Sequence, residues 1–212
     1  MTAANSRKTF WFIFLLAIVV IGIFFYARYQ NEKYGATLVS SSVNPALSTY
    51  TNTTYGFSIS YPNEFIATST FASSYLLPTY WNIYSTEGSG EQVVAIEYPG
   101  SNNILSSELR IGVSNDPTQI KTCDIFNSNV TKSTHALDGE HFYVGTMSDA
   151  AMSHFSYTKS YRIVHDGYCY ALDLISFGTN PEVYSPPKTV PFDQKTAEAA
   201  FDQVIESFTF TN

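Results

Sequence analysis

All four histidines of this 212-residue chain, His135, His141, His154 and His165, lie between positions 135 and 165, among Asp138, Glu140 and Asp166. The heptapeptide His-Ala-Leu-Asp-Gly-Glu-His, from His135 to His141, sets two imidazoles and two carboxylates around one turn. Those are zinc-ligand types, and a metal-dependent hydrolase is the chemistry they would support. The turn by itself accounts for Asp138, and half-exposed histidines at strand ends commonly carry no role. No Gly-x-Ser-x-Gly, His-Glu-x-x-His or glycine-rich phosphate loop is present. No catalytic residue, metal ligand or cofactor is therefore assigned.

Two further sets of residues could do chemistry. Cys123 and Cys169 are the only cysteines, and in an exported domain two cysteines usually pair. Two buried free thiols are the alternative. The aromatic set Tyr75, Tyr80, Trp81 and Tyr84 could line a groove for a sugar or peptide, since aromatic faces bury large area at low entropic cost. Core packing is the commoner use of such residues. Asn52-Thr53-Thr54 and Asn129-Val130-Thr131 are glycosylation sequons, relevant only in a eukaryotic secretory pathway.

Strands and turns must position these groups. In Tyr-Gly-Phe-Ser-Ile-Ser-Tyr-Pro, the period of two puts Tyr55, Phe57, Ile59 and Tyr61 on one face, and Pro62 ends the strand. Further strands are expected at Trp81–Ser85, Gln92–Tyr98 and Glu108–Ser114. Asp138-Gly139 and Asp166-Gly167 each read as a two-residue hairpin turn. In the second hairpin the register pairs His165 with Tyr168, Ile163 with Tyr170 and Tyr161 with Leu172 on one face. Val164 with Cys169 and Arg162 with Ala171 fall on the other, leaving Asp173 diagonal to Arg162 as an ion-pair partner.

Two helices interrupt the strands. Asp116 caps one spanning Pro117–Phe126, with Pro117 at its first position and Gln119 where a capping box wants it. Asp193 caps the other, whose Ala197, Ala200, Phe201, Val204, Ile205 and Phe208 form one apolar stripe. Cys123 can reach Cys169 only if the first helix covers the second face of the hairpin. Helices on a mostly antiparallel sheet make an α+β fold.

Ahead of this domain, Thr9 to Tyr29 carries no charge before Arg28, about the length a bilayer core demands. Trp11, Tyr26 and Tyr29 sit where interfacial aromatics belong, and no small-x-small cleavage site follows. Residues 1–33 hold Arg7, Lys8, Arg28, Lys33 and Glu32; totals of 11 basic and 18 acidic residues leave 7 and 17 beyond, a net of −10. Such a domain repels phosphate backbones, which excludes nucleic acid as a partner. A pilin would need Gly or Ala before its first Phe and a Glu five residues on, where this chain has Thr9 and Phe14.

The strand ending in Tyr61-Pro62 and the closing amphipathic helix with Phe208-x-Phe210 resemble the PsbP-like family, over residues 50–65 and 193–210. The resemblance implies an antiparallel sheet sandwiched by helices. It carries over no photosynthetic role and no metal site, because the matching motifs form core.

The reading is a cytoplasmic tail (1–8), a transmembrane anchor (9–29), a stalk (30–50) and an extracytoplasmic PsbP-like domain (51–212). It is a single-pass cell-membrane protein with its N-terminus cytoplasmic. Its function is binding, or stabilising an envelope complex, without catalysis. Its partners are the lipid bilayer through residues 9–29 and an envelope protein or glycan. The metal-dependent hydrolase and a pilin-like subunit are the alternatives.

Overall fold

The computed structural model of the chain describes residues 46–71, 80–85, 89–126 and 129–211. The chain divides at Asn44/Pro45 into two units, and all the described residues lie in the second. The expected membrane segment, residues 9–29, lies outside the described residues. Among the described residues, no helix is long and apolar enough to cross a membrane.

The strands are β1 (Leu47–Asn52), β2 (Phe57–Pro62), β3 (Ile66–Thr68), β4 (Glu91–Glu97) and β5 (Leu105–Ser114), then β6 (Thr131–Leu137), β7 (Glu140–Ala151), β8 (His154–His165), β9 (Tyr168–Thr179) and β10 (Thr209–Phe210). Helix α1 (Pro117–Lys121) precedes β6, and helix α2 (Gln194–Glu206) precedes β10. A seven-stranded antiparallel sheet runs β3-β4-β5-β9-β8-β7-β6, and a separate three-stranded sheet runs β1-β2-β10.

The first face of the large sheet is apolar, with Leu109, Ile111, Leu172 and Tyr161 in the main core. Both α2 and the small sheet close over it. Phe57 and Ile59 of β2 are fully buried, as are Ala197 and Phe201 on the stripe of α2; Phe208, expected on that stripe, is fully buried too but lies beyond the helix, which ends at Glu206. Phe57 stacks on Phe208 at 5.5 Å between ring centroids and meets Tyr170 edge-on at 6.4 Å. Lys159 to Asp202 at 2.9 Å and His135 to Glu206 at 2.6 Å tie α2 to the sheet beneath it. Asp193 caps α2 as expected, its carboxylate accepting from the Thr196 amide at 2.8 Å.

Three sequence expectations change. A single sheet was expected, yet β2 belongs to a second one. Its bulky side packs on the core while Ser58 and Ser60 bond the chain around α2, through Thr209 Oγ1 and Ser207 Oγ. The expected stalk runs to residue 50, whereas β1 starts at Leu47. Its inward positions are Ser48, Tyr50 and Asn52, which leave no apolar alternation to read. Trp81–Ser85 is a pair of turns rather than a strand: the Asn82 side chain accepts from the Tyr84 amide at 2.8 Å, and the Ser85 hydroxyl donates to the Asn82 carbonyl at 2.8 Å.

Candidate functional site

The second face of the large sheet is where charged side chains are buried. β5 is buried along its whole length, and its second face presents Glu108, Arg110, Gly112 and Ser114. β9 places Asp173 opposite both Arg110 and Ser160, and β8 places Arg162 opposite Ala171. Arg162, Asp173, Arg110 and Glu108 are all buried. Buried charges are costly unless paired or hydrogen-bonded, so each must be accounted for. Arg110 donates from Nε to Glu108.

Two segments roof this face, residues 80–85 and the chain from α1 through Phe126. Asp116 caps α1 as expected, accepting from the amides of Thr118 and Gln119 at 2.8 and 3.0 Å. The helix is shorter than expected, ending at Lys121, so Cys123 sits in the turn that follows it. Cys123 and Cys169 form a disulfide with Cα atoms 5.7 Å apart, which staples that turn to β9. Trp81, Ala171 and both cysteines make a second, smaller core there.

Arg162 binds both roof segments. Its Nη2 donates to Asn82 Oδ1 at 3.0 Å, its Nη1 to the Ile125 carbonyl at 3.5 Å and its Nε to the Ser160 hydroxyl at 3.2 Å. The guanidinium also lies over the rings of Tyr84 and Phe126, at 5.1 and 4.7 Å. Asp173 Oδ2 accepts from the Ile83 amide at 2.7 Å. The direct Arg162–Asp173 ion pair expected from the register does not form. The two instead grip consecutive residues of the roof.

Burial shifts the titration of this cluster. It raises the Asp173 carboxyl, against the opposing pull of Arg162, Ser160 and the Ile83 amide. It also lowers Arg162, against Asp173 and Tyr84, and raises the Tyr84 hydroxyl, with Asp173 adding to the rise. Burial raises Glu97 as well, with Glu108 beside it adding to the effect. Arg162 and Asp173 face packed chain, and the arrangement fastens a roof to the sheet.

The histidines do not converge. His135 bonds Glu206 on the first face and meets the Tyr161 ring edge-on at 5.7 Å. His165 stacks on Phe210 at 3.7 Å, with Glu140 4.0 Å and Asp166 3.5 Å away. His141 lies on the opposite face, in a cleft of about 400 Å³ with Tyr143 and Val164. His154, at the far end of β8, pairs with the Thr179 hydroxyl at 3.1 Å. Among the described residues, no group of three or more His, Cys, Asp or Glu could hold a metal ion. Strand alternation disperses what the heptapeptide placed close in sequence.

The aromatic set is divided too. Trp81 is buried, its Nε1 donating to the Ser89 hydroxyl at 3.0 Å. Tyr84 packs on Arg162 and meets Phe126 edge-on at 6.2 Å. Tyr80 is exposed, and Tyr75 lies outside the described residues. The sequence reading paired Arg162 with Asp173 but missed Asn82, Ile83 and Ile125. The available signal was an arginine and an aspartate inside otherwise apolar strands.

No protein-family model and no curated protein matches the sequence. Among solved structures the chain is similar to cyanobacterial PsbP (CyanoP) from Synechocystis sp. PCC 6803. Identity is 13%, covering 83% of this chain and 99% of that one, with a TM-score of 0.43. It is also similar to LpqN of Mycobacterium tuberculosis, described as involved in cell envelope biogenesis. Identity is 12%, covering 81% and 88% of the two chains, with a TM-score of 0.37. Neither protein's role is carried to this chain.

Proposed function

We propose that this chain is a single-pass membrane protein whose acidic PsbP-like domain lies outside the cytoplasm and acts by binding, as part of an envelope complex. The Cys123–Cys169 bridge is the observation that carries the reading. Disulfides persist in oxidising compartments, and here one follows an uncharged stretch, residues 10–27, of membrane-spanning length. Binding is favoured over catalysis because the buried charges hold the roof and the imidazoles point to different faces and ends of the sheet.

Two measurements test this. Protease added to spheroplasts should degrade the domain and leave a small membrane-bound fragment; full protection would overturn the orientation. The full chain, extracted in mild detergent, should migrate with a larger assembly on a native gel. Migration as a bare monomer would overturn the binding role.

A further inference from the structure

We propose that the cleft between the Cys123–Asp124 turn and the sheet, where β7 begins and β8 ends, binds an arginine side chain presented by a protein partner. This rests on the binding role above and gives that partner's chemistry.

Strand alternation and the disulfide build the cleft, which measures about 400 Å³. Tyr143 stands opposite Arg162, and Val164 opposite Cys169, so both lie on the second face of the sheet. His141, two residues before Tyr143, shares that face. The roof over Arg162 stops short of them, leaving Tyr143 and Val164 each 47% exposed. Asp124 forms the facing wall. Its neighbour Cys123 is bridged to Cys169, so the turn that carries Asp124 is fixed to β9. Glu140, at the start of β7, completes the lining.

The polar groups of the cleft are not used inside the chain. Among the described residues, the Asp124 carboxylate, the His141 imidazole and the Tyr143 hydroxyl make no hydrogen bond or ion pair. Glu140 comes only within 4.0 Å of the His165 imidazole.

Charge and hydrogen-bonding capacity select the occupant. The lining holds two carboxylates and neither Lys nor Arg, in a domain whose net charge beyond residue 33 is −10. A basic partner is therefore drawn to the domain and paired at the cleft. Acceptors outnumber donors here, and a guanidinium consists of donors alone. It can pair a carboxylate through two N–H groups while lying on the Tyr143 ring, with its stem along Val164. A lysine ammonium offers neither the plane nor the fork. A metal ion is less suited, since no three His, Asp or Glu side chains among the described residues converge. A sugar would need more donors than one imidazole and one phenol supply.

The test uses the full chain in mild non-ionic detergent, labelled with fluorotyrosine; Tyr143→Phe identifies the signal of Tyr143. The probes are the capped pentapeptide Gly-Leu-Arg-Leu-Gly, its lysine and citrulline analogues, and cellobiose. The arginine peptide should shift the Tyr143 signal saturably, the lysine peptide less, and the uncharged citrulline peptide and cellobiose hardly at all. Asp124→Asn with Glu140→Gln, both exposed positions, should weaken arginine-peptide binding about tenfold or more, and added salt should weaken it in the wild type. An equal response to citrulline and arginine would overturn the proposal, and a response to cellobiose alone would give the cleft to a glycan instead. If the wild-type chain migrates with a larger assembly on a native gel and the double variant does so equally, this inference fails while the binding role stands. Migration of the wild-type chain as a bare monomer would overturn both.

Discussion

Arg162 and Asp173, diagonal neighbours on β8 and β9, hold two consecutive residues of the same roof segment, Asn82 and Ile83, at 3.0 and 2.7 Å. A charged pair that could have neutralised itself is spent on fixing irregular chain against the sheet. Trp81 packing on Cys169 and Ala171, and Tyr84 on the Arg162 guanidinium, hold the same segment to β9 and β8, and the two polar contacts fix its register between them.

Asn82→Ala leaves the Arg162 Nη2 donor buried and unmatched. The expected loss is about 1–3 kcal/mol, read from the urea midpoint at unchanged slope. Arg162→Lys should fare no better, because a single ammonium cannot reach Asn82, Ile125 and Ser160 together. Wild-type midpoints in both variants would mean that the roof is held elsewhere.

Gly112 tests the same roof from the strand side. A Cβ there would collide with the main chain of Trp81, and backbone yields less readily than a side-chain tip. Gly112→Ala should cost about 1–3 kcal/mol and change the near-ultraviolet signal of Trp81. Gly139→Ala is the comparison for contact, having open space around its Cβ position but a positive φ of 78°. An unchanged Trp81 signal in Gly112→Ala would show that residues 80–85 do not lie on β5.

What could be read from sequence follows from which forces act locally. The Asp166-Gly167 turn fixed the register of β8 and β9 to the residue, because a two-residue turn allows one pairing. The stripe of Ala197, Phe201, Val204 and Ile205 announced a buried helix for the same kind of reason, although Phe208, read as its last member, falls past the helix end. The Met152-Ser153 turn was illegible, since no Gly, Asn, Asp or Pro marks it and the long arms enforce it. Trp81–Ser85 read as a strand because its apolar alternation is real, yet the Asn82 side chain bonds its own main chain and turns it. The candidate site was half visible: residues on one hairpin could be paired, while their partners from distant loops could not.

The disulfide should matter for stability as well as location. Closing a loop with a sequence separation of 46 restricts the unfolded chain by about 4 kcal/mol. The Cys123→Ala/Cys169→Ala double variant, or reduction under denaturing conditions, should lower the unfolding midpoint by a corresponding amount. Two alkylatable thiols in protein taken from its own compartment would remove the bridge and, with it, the main support for an oxidising location.

The last expectation concerns pH and Asp173. Burial raises its carboxyl pKa in the folded state, while in the unfolded chain it returns to about 3.9. Between those values the folded protein binds the extra proton, so this group makes stability fall as pH rises through the window. Asp173→Asn removes that dependence and keeps an acceptor for the Ile83 amide. The difference in stability, wild type minus variant, should therefore shrink or turn negative as pH is raised from about 4 towards neutrality. Urea midpoints of both proteins across that range measure it directly. A difference that grows with pH would show that Arg162 and Arg110 outweigh burial and hold Asp173 as a stabilising carboxylate.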